Sequence, residues 1–188
     1  ELIYGLDTDN NFYSVNPETF ESTLIGSISD TANSMTYDWE HDTFYIVNGN
    51  LQIRELRKDG SLGSAITPAN VVCIAPITYV GNGEFLSLDF NTRNYVRIAA
   101  DGSTTQLAHS DGSSSMVYNR EDGKCYICYT NMQNGDDTSS VGFWGKLFAI
   151  DPVTGEGEYR GFIGEDYGTY VNGMCFIDMG GGEEPQAT

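Results

Sequence analysis

The stretch Met35-Thr-Tyr-Asp-Trp-Glu-His-Asp-Thr-Phe-Tyr-Ile-Val-Asn-Gly-Asn-Leu-Gln-Ile-Arg-Glu-Leu-Arg-Lys-Asp-Gly60 decides the fold. It opens on an apolar-x-aromatic triplet, Met35-Thr-Tyr37, and continues after a polar turn into Thr43-Phe-Tyr-Ile-Val47. Asn48-Gly49 then separates that run from Ile53-Arg-Glu-Leu56, and Asp59-Gly60 separates the next from Leu62 to Ile66. Short alternating segments rich in aromatic and β-branched residues, divided by Asn-Gly and Asp-Gly, are hairpin-linked strands. The unit therefore predicts four antiparallel strands in about 40 residues, the size of a propeller blade.

The unit recurs. Its opening triplet returns as Ile77-Thr-Tyr79, Met116-Val-Tyr118 and Met174-Cys-Phe176. Second strands follow at Glu84-Phe-Leu-Ser-Leu88 and Lys124-Cys-Tyr-Ile-Cys128, and third strands at Tyr95-Val-Arg-Ile98 and Leu147-Phe-Ala-Ile150. Fourth strands are expected at Thr104 to Ala108 and Glu158 to Ile163. The triplets are spaced by 42, 39 and 58 residues, and one insertion at 131–144 accounts for the long interval. Residues 1–28 supply the second, third and fourth strands of a unit lacking its first, and Gly173-Met-Cys-Phe-Ile177 is that missing strand. The prediction is an all-β, four-bladed β-propeller whose C-terminal strand completes the N-terminal blade, a closure that removes exposed sheet edges. The blades fall at 1–28 plus 170–178, 34–66, 75–108 and 114–163, giving one domain over 1–179 and a Gly/Glu-rich tail or linker at 180–188.

The segment Lys146-Leu-Phe-Ala-Ile-Asp-Pro-Val-Thr-Gly155, with Phe12-Tyr-Ser-Val-Asn-Pro-Glu-Thr19 as a second copy, resembles the "LYAIDPxTG" strand-turn of quinoprotein-like bacterial propeller repeats. The resemblance implies the propeller fold and no particular activity. The tryptophan docking motif of quinoprotein enzymes, the WD dipeptide and the hemopexin pattern are not apparent, so no metal or haem site is carried over.

Composition narrows the partners. Nine basic against 27 acidic residues leave a net charge of −18, with lysine only at 58, 124 and 146. Such a chain repels phosphate backbones and anionic membranes, so neither nucleic acid nor membrane insertion is expected. The acidic, lysine-poor, Ser/Thr/Asn/Gly-rich composition suits an extracellular or cell-surface setting. The chain opens on Glu1-Leu2-Ile3-Tyr4, already strand-like, so a removed leader or a longer parent protein is expected. No Asn-x-Ser/Thr sequon occurs, and N-glycosylation of that kind is not expected.

Cys125 and Cys128 form a CxxC within a strand-like run, where residues three apart point to opposite faces and cannot converge on zinc. Buried thiols, or one disulfide such as Cys128 with Cys175, are the expected states; Cys73 is the fourth cysteine.

In this register the insertion shares one rim of the propeller with the connections between blades. That rim gathers Asp136, Asp137, Phe143, Trp144, Asp111, Tyr167 and Tyr170, aromatic rings beside carboxylates that suit stacking on a sugar face. Phe143 and Trp144 folding back over their own hairpin is the competing structural role. Asp7-Thr-Asp9-Asn-Asn11 has the alternating oxygens of half a calcium loop, without its glycine and distal glutamate; Asp136-Asp137 is a second weak Ca2+ candidate. No other cofactor is expected. His41 and His109 fall on opposite rims, Ser113–Ser115 with His109 and Asp111 read as plain loop, and no catalytic set emerges. The aligned Tyr37, Tyr79, Tyr118 and Phe176 are expected to fill inter-blade space with Met35, Ile77, Met116 and Met174. The functional expectation is a non-catalytic extracellular module binding a carbohydrate or protein ligand on the 131–144 rim. Its alternatives are a structural subunit that assembles with copies of itself in a surface layer or filament, and a propeller glycosidase or lyase.

Overall fold

The computed structural model describes residues 2–72, 74–110, 115–129 and 146–163. Fifteen strands and no helix are found among them. The first sheet holds β1 (Ile3–Leu6), β2 (Asn11–Val15) and β3 (Ser22–Ser27). The second holds β4 (Ala32–Asp38), β5 (Thr43–Asn48), β6 (Ile53–Leu56) and β7 (Leu62–Ile66). The third comprises β8 (Ile74–Gly81), β9 (Glu84–Asp89), β10 (Asn94–Ile98) and β11 (Thr104–His109). The fourth comprises β12 (Ser115–Asn119), β13 (Lys124–Tyr129), β14 (Lys146–Ile150) and β15 (Gly157–Phe162). Each sheet is an antiparallel meander, and the four stand in a ring as a four-bladed β-propeller. The predicted closing strand at 173–177, the 180–188 tail and the 131–144 insertion lie outside the described residues.

Strand alternation splits each blade between two neighbours. In β5, Phe44 and Ile46 enter a core shared with Phe12 of the first blade, while Val47 enters the core shared with Ile77 and Phe85 of the third. In β9, Phe85 faces the second blade, and Leu86 and Leu88 meet Met116, Cys125 and Ile127 of the fourth. Middle strands are therefore buried on both faces, whereas the outer strands β3, β7 and β11 hold no buried residue. Each outermost strand also meets its neighbour through a register shift, at Phe12/Tyr13, Arg54/Leu56, Asn94/Val96 and Leu147/Phe148. A bulge recurring at one position sharpens the twist that lets sheets stack radially.

Two local devices hold this frame. The first is the Asx turn, in which a side-chain oxygen accepts the amide two residues on. Asp7, Asn16, Asp38, Asn48, Asp59, Asp89, Asp101, Asn119, Asp122 and Asp151 all do so at 2.8–3.0 Å. Seven of the chain's 27 acidic residues thus serve as turn acceptors. The second joins the first strands across the axis. Each of these strands has an edge that no other strand in its own blade covers. The Thr36 hydroxyl accepts the Tyr79 amide at 2.9 Å, Ser34 accepts that of Ile77 at 3.2 Å, and Thr78 accepts that of Tyr118 at 3.1 Å. The threonine inside the repeated triplet is therefore an inter-blade staple, and Val117 occupies that position in the fourth blade.

Candidate functional site

A cavity of about 360 Å³ lies on the propeller axis, at the rim where first strands end and turn into second strands. Tyr37 and Trp39 reach it from the end of β4, and Tyr118 and Arg120 from the end of β12. Met35, Met116 and Phe44 close it deeper in, while Ile3 and Tyr4 enter from the start of β1. A second lobe of about 290 Å³ shares Tyr4, Tyr37 and Phe44 and extends to Lys58. The equivalent tyrosines thus divide. Tyr79 fills inter-blade space as expected and is fully buried, but Tyr37 is 40% exposed and with Tyr118 lines a cavity. Phe176 lies outside the described residues.

The asymmetry comes from Trp39, which has no counterpart after Tyr79. Its ring stacks on Tyr118 with centroids 5.5 Å apart and planes 11° from parallel, and meets Tyr79 edge-on at 4.8 Å. Offset and edge-to-face pairs of this kind are the favoured aromatic geometries. Arg120 lies 5.5 Å from the Trp39 ring centre. Across the mouth the Lys58 ammonium lies 5.7 Å from the Tyr4 ring centre and 5.9 Å from that of Tyr37. Two of the chain's nine basic residues therefore flank one aromatic opening. Asp42 orients this edge, accepting from both Lys58 and the Tyr37 hydroxyl. Those two bonds hold its carboxyl below the usual carboxylate range, the lysine contributing first.

Beside the cavity, Asp38, Glu40 and His41 bring three possible ligand atoms within 4.8 Å of one another. Each carboxylate already has work in the turn. Buried Asp38 accepts the amides of Glu40 and His41 at 2.9 and 3.1 Å, and its other oxygen lies 2.9 Å from His41 Nδ1. That contact raises the imidazole above its ordinary pKa. Glu40 accepts the Tyr79 hydroxyl and, at 2.9 Å, the Asn82 amide, tying the second blade to the third. Burial, then this carboxylate, pushes the Tyr79 phenol upward. Sequence reasoning read Asp38–Asp42 only as a histidine-bearing turn; its proximity to the cavity depends on blade packing.

The expected ligand residues Asp136, Asp137, Phe143, Trp144, Asp111, Tyr167 and Tyr170 all lie outside the described residues. Of the weak metal candidates, Asp7 and Asn11 are brought together and Asp9 contributes its amide. Asp7 Oδ1 accepts the amides of Asp9 and Asn11, both at 2.9 Å, and Oδ2 accepts from Asn11 Nδ2 at 3.0 Å and Tyr13 at 3.2 Å. The loop is closed by its own hydrogen bonds. His41, between β4 and β5, and His109, ending β11, stand at opposite rims. Cys125 and Cys128 are fully buried in β13, three residues apart on the strand, and burial pushes both thiols upward. Cys73 and Cys175, the proposed disulfide partner, lie outside the described residues.

A family model described as SdiA-regulated matches residues 13–126, more than half of the sequence, from β2 into β13. The chain belongs to the SdiA-regulated family. The name speaks of regulation and specifies no reaction. No curated protein sequence is significantly similar to this one. Among solved structures, this SdiA-regulated chain is similar to one in a crystal structure of a nidogen/laminin complex, with 13% identity and a TM-score of 0.66 over 94% of this chain and 64% of that one. A structural genomics protein of unknown function from Bacteroides thetaiotaomicron aligns at 14% identity and TM-score 0.64, over 93% of this chain and 51% of the other. Streptogramin B lyase aligns at 14% and 0.52, over 86% and 51%. The chain thus spans between half and just under two thirds of these structures. At such identities the likeness is one of fold.

Proposed function

We propose that this domain is a non-catalytic ligand-binding module, with its ligand seated in the axial cavity. The observation that carries the reading is the aromatic mouth. A four-bladed ring has little central room, and packing alone favours filling it, yet Tyr37 and its neighbours leave apolar surface open beside two cations. Concave sites lined by aromatic and apolar groups, with a few placed polar ones, are the usual equipment of binding. The carboxylates around the mouth support the non-catalytic part, because Asp38, Glu40 and Asp42 are each occupied in holding turns, a neighbouring blade or Lys58. That one similar structure is a nidogen/laminin complex and another a lyase indicates that the fold serves both binding and catalysis, so the site has to carry the distinction.

The 131–144 loop, outside the described residues, is a second proposed seat, for a carbohydrate or protein ligand. The extracellular setting belongs to the same proposal, supported by the acidic, lysine-poor composition. The test is a thermal-shift screen of small aromatic and carbohydrate ligands, repeated on Tyr37→Ala. Tyr37 is chosen because its partial exposure lets the variant fold. Binding that survives this substitution undiminished removes the axial cavity as the seat.

A further inference from the structure

Resting on the axial cavity being a binding site, we propose that its ligand is a neutral, flat, apolar aromatic molecule, neither a sugar nor an ion. The walls set the body. Two aromatic groups line the cavity among the described residues: Trp39 stacked on Tyr118, and Phe44 with its ring centre 5.0 Å from that of Tyr4 and 5.2 Å from that of Tyr37. Met35, Met116 and Val117 add apolar surface that adapts to a ring edge. A dry apolar cavity of about 150 Å³ is enough for benzene. The larger lobe, at about 360 Å³, therefore has room for two fused rings.

The lining also sets polarity and charge. Among the described residues, no carboxylate or carboxamide lines either lobe. A sugar presents several hydroxyl hydrogens that call for such acceptors, whereas an aromatic ring needs none. The hydroxyls of Thr36 and Thr78, which line the cavity, already accept the Tyr79 and Tyr118 amides. Taking an ion out of water is costly unless the site pairs it. A ligand cation would meet like charge, because the charged residues lining the lobes are Lys58 and Arg120. These two already lie against the Tyr4, Tyr37 and Trp39 rings that would otherwise attract it. A ligand anion at Lys58 would meet the Asp42 carboxylate, which already accepts from that ammonium. Arg120 is likewise engaged, at the Trp39 ring. A neutral aromatic body avoids both costs and gains the offset and edge-to-face contacts that rings favour.

The experiment titrates indole, tryptamine, indole-3-acetate and methyl glucoside into the full chain by calorimetry. The first three share a fused-ring body and differ in charge, and the fourth is a sugar. Indole is expected to bind at least about tenfold tighter than each of the others. Two variants locate the site, each shown to be folded by its urea midpoint. Tyr37→Ala removes part of one wall and Val117→Phe fills the cavity, and each is expected to weaken indole by at least about tenfold. If tryptamine, indole-3-acetate or the glucoside binds as tightly as indole and is weakened in either variant, the ligand class is overturned and the binding reading stands. Indole binding that neither variant weakens removes the cavity as its seat, and this inference with it. If none of the four binds, the cavity reading and this inference fall together.

Discussion

The inter-blade staple makes the sharpest prediction. Thr78→Val keeps the shape of a side chain only 4% exposed but removes the oxygen that accepts the Tyr118 amide at 3.1 Å. No strand of the fourth blade pairs with that edge of β12, so the amide loses its partner in the protein. Leaving this part-buried donor without its acceptor costs about 1 kcal/mol, the lower end of the range for an unsatisfied group, against a total stability of about 5–15 kcal/mol. The urea midpoint should fall accordingly at an unchanged slope, because the surface exposed on unfolding is the same. In a thermal scan each kcal/mol should lower Tm by roughly 2–4 °C for a domain of this size. Thr78→Ser, which keeps the oxygen, should recover most of the loss. Thr36→Val should behave like Thr78→Val, since it orphans the Tyr79 amide at 2.9 Å. The two losses should not simply add, because the staples are consecutive along the ring. A Thr78→Val protein within about 0.3 kcal/mol of the parent, or a Ser variant as weak as Val, would refute the staple.

Three further outcomes follow from the turns and the core. Gly102 has φ +84°, and a Cβ there would stand 2.5 Å from the Thr67 carbonyl oxygen, so Gly102→Ala should lose about 1–3 kcal/mol in urea melts. Hydrogen bonds hold the carboxyls of Asp7, Asp59, Asp101 and Asp151 below the usual range. Their contribution is complete above the unfolded value of about 3.9 and is lost as pH falls through the lower folded values, so urea midpoints should drop in that acid window. A midpoint still flat well below it would contradict the Asx-turn account. Cys125, fully buried with its thiol pushed upward, should resist alkylation until the chain unfolds. Peptide mapping after iodoacetamide treatment of the native protein reads this directly, and rapid labelling at Cys125 would count against the packed fourth-blade core.

The strands were legible because their signals are short-range. Ile53–Leu56 and Leu62–Ile66 have the same bounds in the structure as in the sequence reading, and the other described strands differ by at most a few residues at their ends. Alternation declares a strand, and an Asp or Asn that accepts the amide two residues on declares its end; both operate within a few positions of one another. The Thr in Met35-Thr-Tyr37 and Ile77-Thr-Tyr79 was visible as a repeat, but its partner amide lies 43 residues away for Thr36 and 40 for Thr78. Its role as a staple appears only once the blades stand side by side.

The sequence by itself determined the number of blades, their order and the placement of most turns, because periodicity and turn chemistry are properties of the chain read locally. Tertiary structure alone decided which of three equivalent tyrosines became core and which became cavity wall. Tyr79 is sealed by Trp39, Phe85 and the Glu40 carboxylate, while Tyr37 and Tyr118 face the axis. It also set Lys58 and Arg120, 62 positions apart, at one aromatic mouth. That meeting depends on a ring of sheets placing strand ends from different blades around one axis, a relation no local pattern encodes.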